Sequence, residues 1–167
     1  KTPSPMQLRM SYSAGVMAKH GWILRSGGAE GADEAFERGL LPTDPREIYL
    51  PELGWRNNPS QFGLDEMEFK YDAWEYVKKY HPAWQKLGSQ FVRKLMTRNV
   101  FQILGKDLDR PADIVVCWTQ GGGLVGGTAF ALRLARIFHI PVYNLGDIKD
   151  ELAFDAFLKP MEDLDDE

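Results

Sequence analysis

Apolar residues recur at helical spacing from the first residues of the chain: Met6, Met10, Ala14 and Met17 form one stripe, as a core-facing helix requires. Ser4 as cap, Pro5 in the first helical position and Gln7 as capping-box partner predict that this helix runs to about His20 and stops at Gly21. Trp22-Ile23-Leu24, ending at Arg25 and Ser26, predicts a short strand buried in a parallel sheet. Between Ala29 and Arg38 helical spacing returns at Ala32, Ala35 and Phe36, with Gly39 as the stop. Glu47-Ile48-Tyr49-Leu50, before Pro51, reads as a second strand, and the turn-rich run Trp55–Ser60 as a surface or functional loop. Asp65–Tyr80 is expected to be helical, with Tyr71, Trp74 and Val77 on one face, and is broken at His81-Pro82. A longer helix, about Ala83 to Leu104, turns Trp84, Leu87, Phe91 and Leu95 inward and ends at Gly105. Ile114-Val115-Val116-Cys117-Trp118 is unbroken in its apolar character, which implies burial on both faces. A helix over Thr128–Phe138 and a strand at Val142–Asn144 complete a right-handed strand-helix-strand unit.

This alternation specifies an α/β fold: a Rossmann-like, doubly wound, mainly parallel sheet with helices on both faces and a helical insertion at about residues 64–105. With 167 residues, 44% of them hydrophobic, one core is expected, so residues 1–160 are read as a single domain and 161–167 as a solvated acidic tail. No run approaches the roughly 20 apolar residues of a membrane span, and the first residues lack the pattern of a signal peptide. The expectation is a cytoplasmic protein without a membrane partner. Cys117 is the only cysteine and reads as a packed core thiol. His20, His81 and His139 show no metal-ligand spacing, so neither metal nor cofactor is expected. The formal charge of -4 counts against a nucleic-acid partner.

Candidate chemistry lies where strands give way to helices. The first such place, Arg25-Ser26-Gly27-Gly28-Ala29-Glu30-Gly31-Ala32-Asp33, carries three glycines at the position where open α/β sheets bind ligands. Glycine lets the backbone approach an anion, and free N–H groups at a helix start favour negative charge. A second bend, Thr119-Gln120-Gly121-Gly122-Gly123-Leu124-Val125-Gly126-Gly127-Thr128, repeats the argument, with Thr128 offering a hydroxyl and a cap. Neither bend is a phosphate loop ending in Gly-Lys-Ser/Thr, and neither is a GxGxxG fingerprint. The candidate ligand-binding set is Arg25, Ser26, Gly27, Gly28, Gly31 and Asp33 from the first bend, and Thr119, Gly122, Gly123, Gly126, Gly127 and Thr128 from the second. Arg98 and Asn99, late in the long helix, join it as a polar pair able to reach across the sheet edge. Each has a plainer alternative: glycines serving turn geometry, Arg25 in a salt bridge, Arg98 and Asn99 on a wet helix face, Asp33 bound to its own first turn. Trp55 is the one tryptophan outside a core pattern and a candidate to face ligand.

These residues also carry a resemblance. Arg25-Ser26-Gly27-Gly28-Ala29-Glu30-Gly31-Ala32-Asp33, His81-Pro82, Arg98–Gly105, Cys117-Trp118-Thr119 and Gly126-Gly127-Thr128 together resemble the SLOG superfamily, in its phage and bacterial branch near the DNA-processing protein A and lonely-guy families. The resemblance implies a Rossmann-like domain that self-associates as a homodimer or higher homo-oligomer and binds a nucleotide-like small molecule at the two bends. It further implies a first strand ahead of the Thr2-Pro3 that opens the first helix, a strand expected upstream of Lys1 or else supplied by another segment. Two alternative activities follow from the same likeness. One is hydrolysis of the N-glycosidic bond of a nucleoside monophosphate, although the helix after Thr128, Ala129-Phe130-Ala131-Leu132-Arg133, lacks the acid that activity uses. The other is mediation of recombination on single-stranded DNA along a dimer surface, which the acidic charge disfavours.

Overall fold

A computed structural model describes all residues, Lys1–Glu167. The first helix, α1 (Ser4–Lys19), is capped one residue earlier than expected, at Pro3, and Gln7 Nε2 donates to Thr2 O at 2.8 Å instead of closing a capping box. Met10 and Ala14 are buried along the expected stripe, with Met6 and Met17 packed beside them. Gly21 takes φ +84°, the left-handed stop that glycine adopts without strain. Strand β1 (Leu24–Ser26) then starts two residues later than the apolar run suggested, because Trp22 packs edge-on against Phe157 at 5.5 Å. Helix α2 (Ala32–Arg38) leads to β2 (Arg46–Leu50), which pairs in parallel with β1, Leu24 opposite Arg46 and Ser26 opposite Ile48.

Beyond β2 lies an element that no hydrophobic pattern announces: the two-residue strand β3 (Phe62–Gly63), parallel to β2, with the Phe62 ring stacked on Tyr49 at 5.2 Å. Helix α3 (Lys70–Tyr80) is shorter than its expected span, its first turn replaced by a separate 3-10 turn at Leu64–Glu66. The long helix is likewise divided. A 3-10 turn at Trp84–Lys86 stands apart from α4 (Gln90–Leu104), which starts at Ser89, whose Oγ accepts from Val92 N at 3.1 Å. Strands β4 (Val115–Cys117) and β5 (Val142–Asn144) pair in parallel around helix α5 (Thr128–Ile137). A final helix, α6 (Ile148–Asp165), is capped by Asp147, runs through Pro160 and includes most of the acidic end. Tyr12 Oη donates to Glu162, and His20 meets Asp165, so this end is tied to α1.

The chain is therefore α/β: six helices and short parallel strands in two small sheets, β1-β2-β3 and β4-β5. Successive strand residues point to opposite faces, and here they enter different cores. Val115 and Val142 pack with α3, α4 and α5, whereas Val116 and Tyr143 pack with α1, α2 and α6. Helices consequently cover both faces of the strands. None of them is long and apolar enough to cross a membrane.

Candidate functional site

The first glycine bend is folded onto its own side chains. Ser26, fully buried at the end of β1, accepts from the Gly28 amide at 3.2 Å and donates to Glu37 Oε1 at 2.6 Å. Asp33 Oδ2 accepts from the Ala29 amide at 3.1 Å, and the same carboxylate faces the Gly27 amide. The bend thus presents its N–H groups to an anion, and the anion in place is Asp33. Gly28 (φ +66°) has no room for a side chain, since a Cβ there would lie 2.8 Å from Leu50 Cδ2. Gly31 (φ +102°) sits against Thr2 Oγ1 and opens α2.

The second bend is arranged differently. Its base is knotted: Thr119 N donates to Asn144 Oδ1 at 3.0 Å, Asn144 Nδ2 to Thr119 Oγ1 at 2.7 Å, and Thr119 Oγ1 to Gly123 O at 2.6 Å. Gly122 (φ +74°) closes against Asp147. Past that knot the backbone is exposed, and the amides of Leu124, Val125, Gly126 and Gly127 find no acceptor within the chain. These four N–H groups lead directly into α5 at Thr128, a helix with no acidic residue in its first turn. Unsatisfied donors and the positive end of a helix dipole coincide there.

Helix α4 joins the two bends through consecutive residues. Arg98 Nη1 donates to Gly27 O in the first bend and to Tyr49 O at 3.4 Å, while Asn99 Nδ2 donates to Gly127 O in the second at 3.3 Å. Both bends therefore lie at the same end of the molecule, where the strands finish. Arg98 is only 6% exposed, a strong departure for a charged side chain. Burial pushes its guanidinium below its usual range, opposed by the neighbouring Asp33 carboxylate. No carboxylate lies within ion-pair distance of it, and its Nη2 has no acceptor in the chain. Trp55, from the loop after β2, covers the guanidinium with its ring centroid 5.6 Å from Cζ.

A cavity of about 830 Å³ opens between the two sheets, and Ser26, Asp33, Arg98, Asn99, Gly127 and Thr128 all reach it. Gly27, Gly28, Gly31, Thr119, Gly122, Gly123 and Gly126 form the bends behind this rim and do not line it. Arg25 touches the cavity, but its side chain turns away from the glycine bend to donate to Arg110 O at 2.7 Å and pair with Glu47 at 3.6 Å. The sequence pattern missed Glu37 and Asn144, which fix the two bends; a polar residue closing a strand and a Glu in the last turn of α2 were the available signals. No three His, Cys, Asp or Glu side chains converge as metal ligands do.

Two expectations arise from this electrostatic setting. Asp33 has its carboxyl pushed up by burial, with Arg98 and the bend's hydrogen bonds pulling it back down. Because its folded value is raised, its stabilising effect is complete below the unfolded value of about 3.9 and is lost as pH rises through the folded value. Thermal melts should accordingly show wild type falling behind Asp33→Asn as pH increases above about 4; a gap between the two that stays constant with pH would refute this. Cys117 has its thiol raised to about 12 by burial, with Asp150 adding to the effect. A thiol-reactive dye at neutral pH should label it only as fast as the chain unfolds, and immediate stoichiometric labelling of the native protein would contradict that.

No family model matches the chain, and no curated protein or solved structure matches it.

Proposed function

We propose that this protein binds a nucleotide or nucleotide-derived small molecule, seating the phosphate on the second bend, Leu124–Thr128, with the sugar or base lying towards the first bend and Arg98. The observation that carries this reading is the run of four amides without acceptors that leads into α5, the last of which, Gly127, reaches the cavity that Arg98 also lines. A phosphate satisfies such donors and receives charge-assisted hydrogen bonds from them. The buried guanidinium, with Nη2 unused, favours an anionic ligand over a neutral one. Membership of the SLOG superfamily, with a single doubly wound sheet and self-association, belongs to the same proposal and rests on the motif resemblance together with the parallel strands and two-sided helical cover.

Binding is favoured over turnover because no free carboxylate stands at the rim where the phosphate is seated; the cavity's one unpaired acid, Asp113, precedes β4 and so lies at the opposite end of the strands. Asp33 is engaged by the Ala29 amide, and Glu47 by Arg25 and the Tyr49 hydroxyl. A hydrolase acting on an N-glycosidic bond needs an acid free to reach the sugar. Calorimetric titration with adenosine 5′-monophosphate, adenosine and inorganic phosphate tests the reading. The monophosphate should bind at least tenfold more tightly than the nucleoside, since one charge-assisted hydrogen bond contributes about 1.5–3 kcal/mol. Equal affinity for the nucleoside and its monophosphate would remove the phosphate seat, and release of free adenine would favour the hydrolase.

A further inference from the structure

A second cleft, of about 310 Å³, lies between the end of α3 and the exposed face of α5, with Leu124 of the second bend as one wall. Its charge is one-sided. Lys79, Arg133 and Arg136 line it, and no carboxylate does. None of the three forms an ion pair: Lys79 rests over the Tyr80 ring at 5.2 Å, Glu75 of α3 is taken by Lys78 at 2.7 Å, and the side chains of Arg133 and Arg136 donate to nothing within the chain. The sequence keeps acid away from this region. From Ile114 to Gly146 there is no Asp or Glu, in a chain that holds 24 of them. Favourable interaction with a helix C-terminus accounts for Lys79 and Arg136, which stand in the last turns of α3 and α5. It does not account for Arg133, which is in mid-helix and three residues before Arg136, a spacing at which like charges repel. An anion would relieve three uncompensated cations around one concavity, and the apolar walls at Leu124 and Leu132 concentrate their field within it.

This cleft adjoins the ligand site. Leu132 lines both concavities, and Leu124 begins the run of open amides that leads to Gly127 and Thr128. We propose that the cleft seats the outer phosphates of the ligand, which makes that ligand a nucleoside polyphosphate; the inference rests on the reading of the second bend as a phosphate seat. With the base towards Arg98 and the first phosphate on the amides, the next phosphates leave the bend past Leu124 and run along α5. Arg133 stands about 7.5 Å along the helix axis from Thr128 and Arg136 about 12 Å, spans that two further phosphates and an extended arginine side chain cover together. The two guanidinium forks take phosphate oxygens bidentately, and Lys79 closes the far side as a point charge. Each added phosphate therefore meets a new cation, and because these cations are exposed, salt weakens the gain.

The test is calorimetric titration with adenosine, its mono-, di- and triphosphates, and inorganic triphosphate. Three proteins are compared: wild type, Arg133→Gln with Arg136→Gln, and a control that loses two charges elsewhere, Lys19→Gln with Lys159→Gln. Wild type and control should bind the triphosphate at least about tenfold more tightly than the monophosphate, with the diphosphate between them and the preference shrinking as salt is raised. The cleft variant should keep its melting temperature, since both side chains are exposed, and its preference should fall to about threefold or less. A wild-type chain that binds triphosphate no more tightly than monophosphate, or a preference that survives in the cleft variant, overturns the inference. The phosphate seat on the bend still stands in that case if the monophosphate outbinds adenosine. Inorganic triphosphate binding as tightly as adenosine triphosphate overturns the nucleoside part, and binding of no phosphate at all overturns both readings.

Discussion

Replacing Arg98 with methionine is expected to lower the melting temperature by roughly 6–12 °C, the largest effect of any single substitution at the rim. Methionine keeps the apolar stem but removes the donor to Gly27 O and Tyr49 O and the only cationic group acting on half-buried Asp33. Leaving the Gly27 and Tyr49 carbonyls without their donor costs about 3 kcal/mol, and each kcal/mol moves the midpoint of a chain this size by about 2–4 °C. Lysine should rescue little, because it keeps the charge but loses the planar fork. The double variant Arg98→Met, Asp33→Asn should regain part of the loss, since the uncompensated carboxylate is then gone. Additive losses in the double variant would mean that Asp33 and Arg98 do not interact.

Gly127→Asp should act in the opposite way, leaving the fold intact while abolishing phosphate binding. Gly127 has ordinary helical dihedrals, φ -64° and ψ -23°, and a Cβ there meets nothing nearer than Met96 Cε at 4.0 Å. The new carboxylate stands at the start of α5, where it interacts favourably with the helix dipole and occupies the donors offered to the ligand. Losing one charge-assisted hydrogen bond to phosphate predicts affinity for adenosine monophosphate weakened roughly 10- to 150-fold, and losing two weakens it by more than about 100-fold. The melting temperature should hold or rise. Unchanged affinity in a well-folded Gly127→Asp protein would place the phosphate elsewhere.

How far the sequence leads depends on which physical signal each residue carries. Strands β4 and β5 are legible because double-sided burial leaves unbroken apolar runs, and α1 because its methionines keep one face. Strand β3 is not, since two residues held by one stacked aromatic pair leave no period to detect. The acidic end reads as solvated tail yet forms the last turns of α6, because Pro160 and a run of carboxylates mask a helix held by Phe154 and Leu158 further back. At the site, the two bends are visible as strand-to-helix glycine runs. What periodicity cannot supply is direction. Arg25 and Arg98 look alike as candidates, but strand alternation sends Arg25 to Arg110 O and Glu47, whereas Arg98 reaches across to Gly27 O. Nor can spacing reveal that Asp33 fills the first bend while the second is left open.

That contrast between a filled bend and an open one is most directly tested by amide NMR. With adenosine monophosphate added to the labelled protein, the account predicts saturable shifts concentrated at Leu124, Val125, Gly126, Gly127 and Thr128, with Gly28 and Ala29 moving far less. Shifts centred on Gly27–Ala29 with the α5 start unmoved, or no saturable shift at either bend, would contradict it.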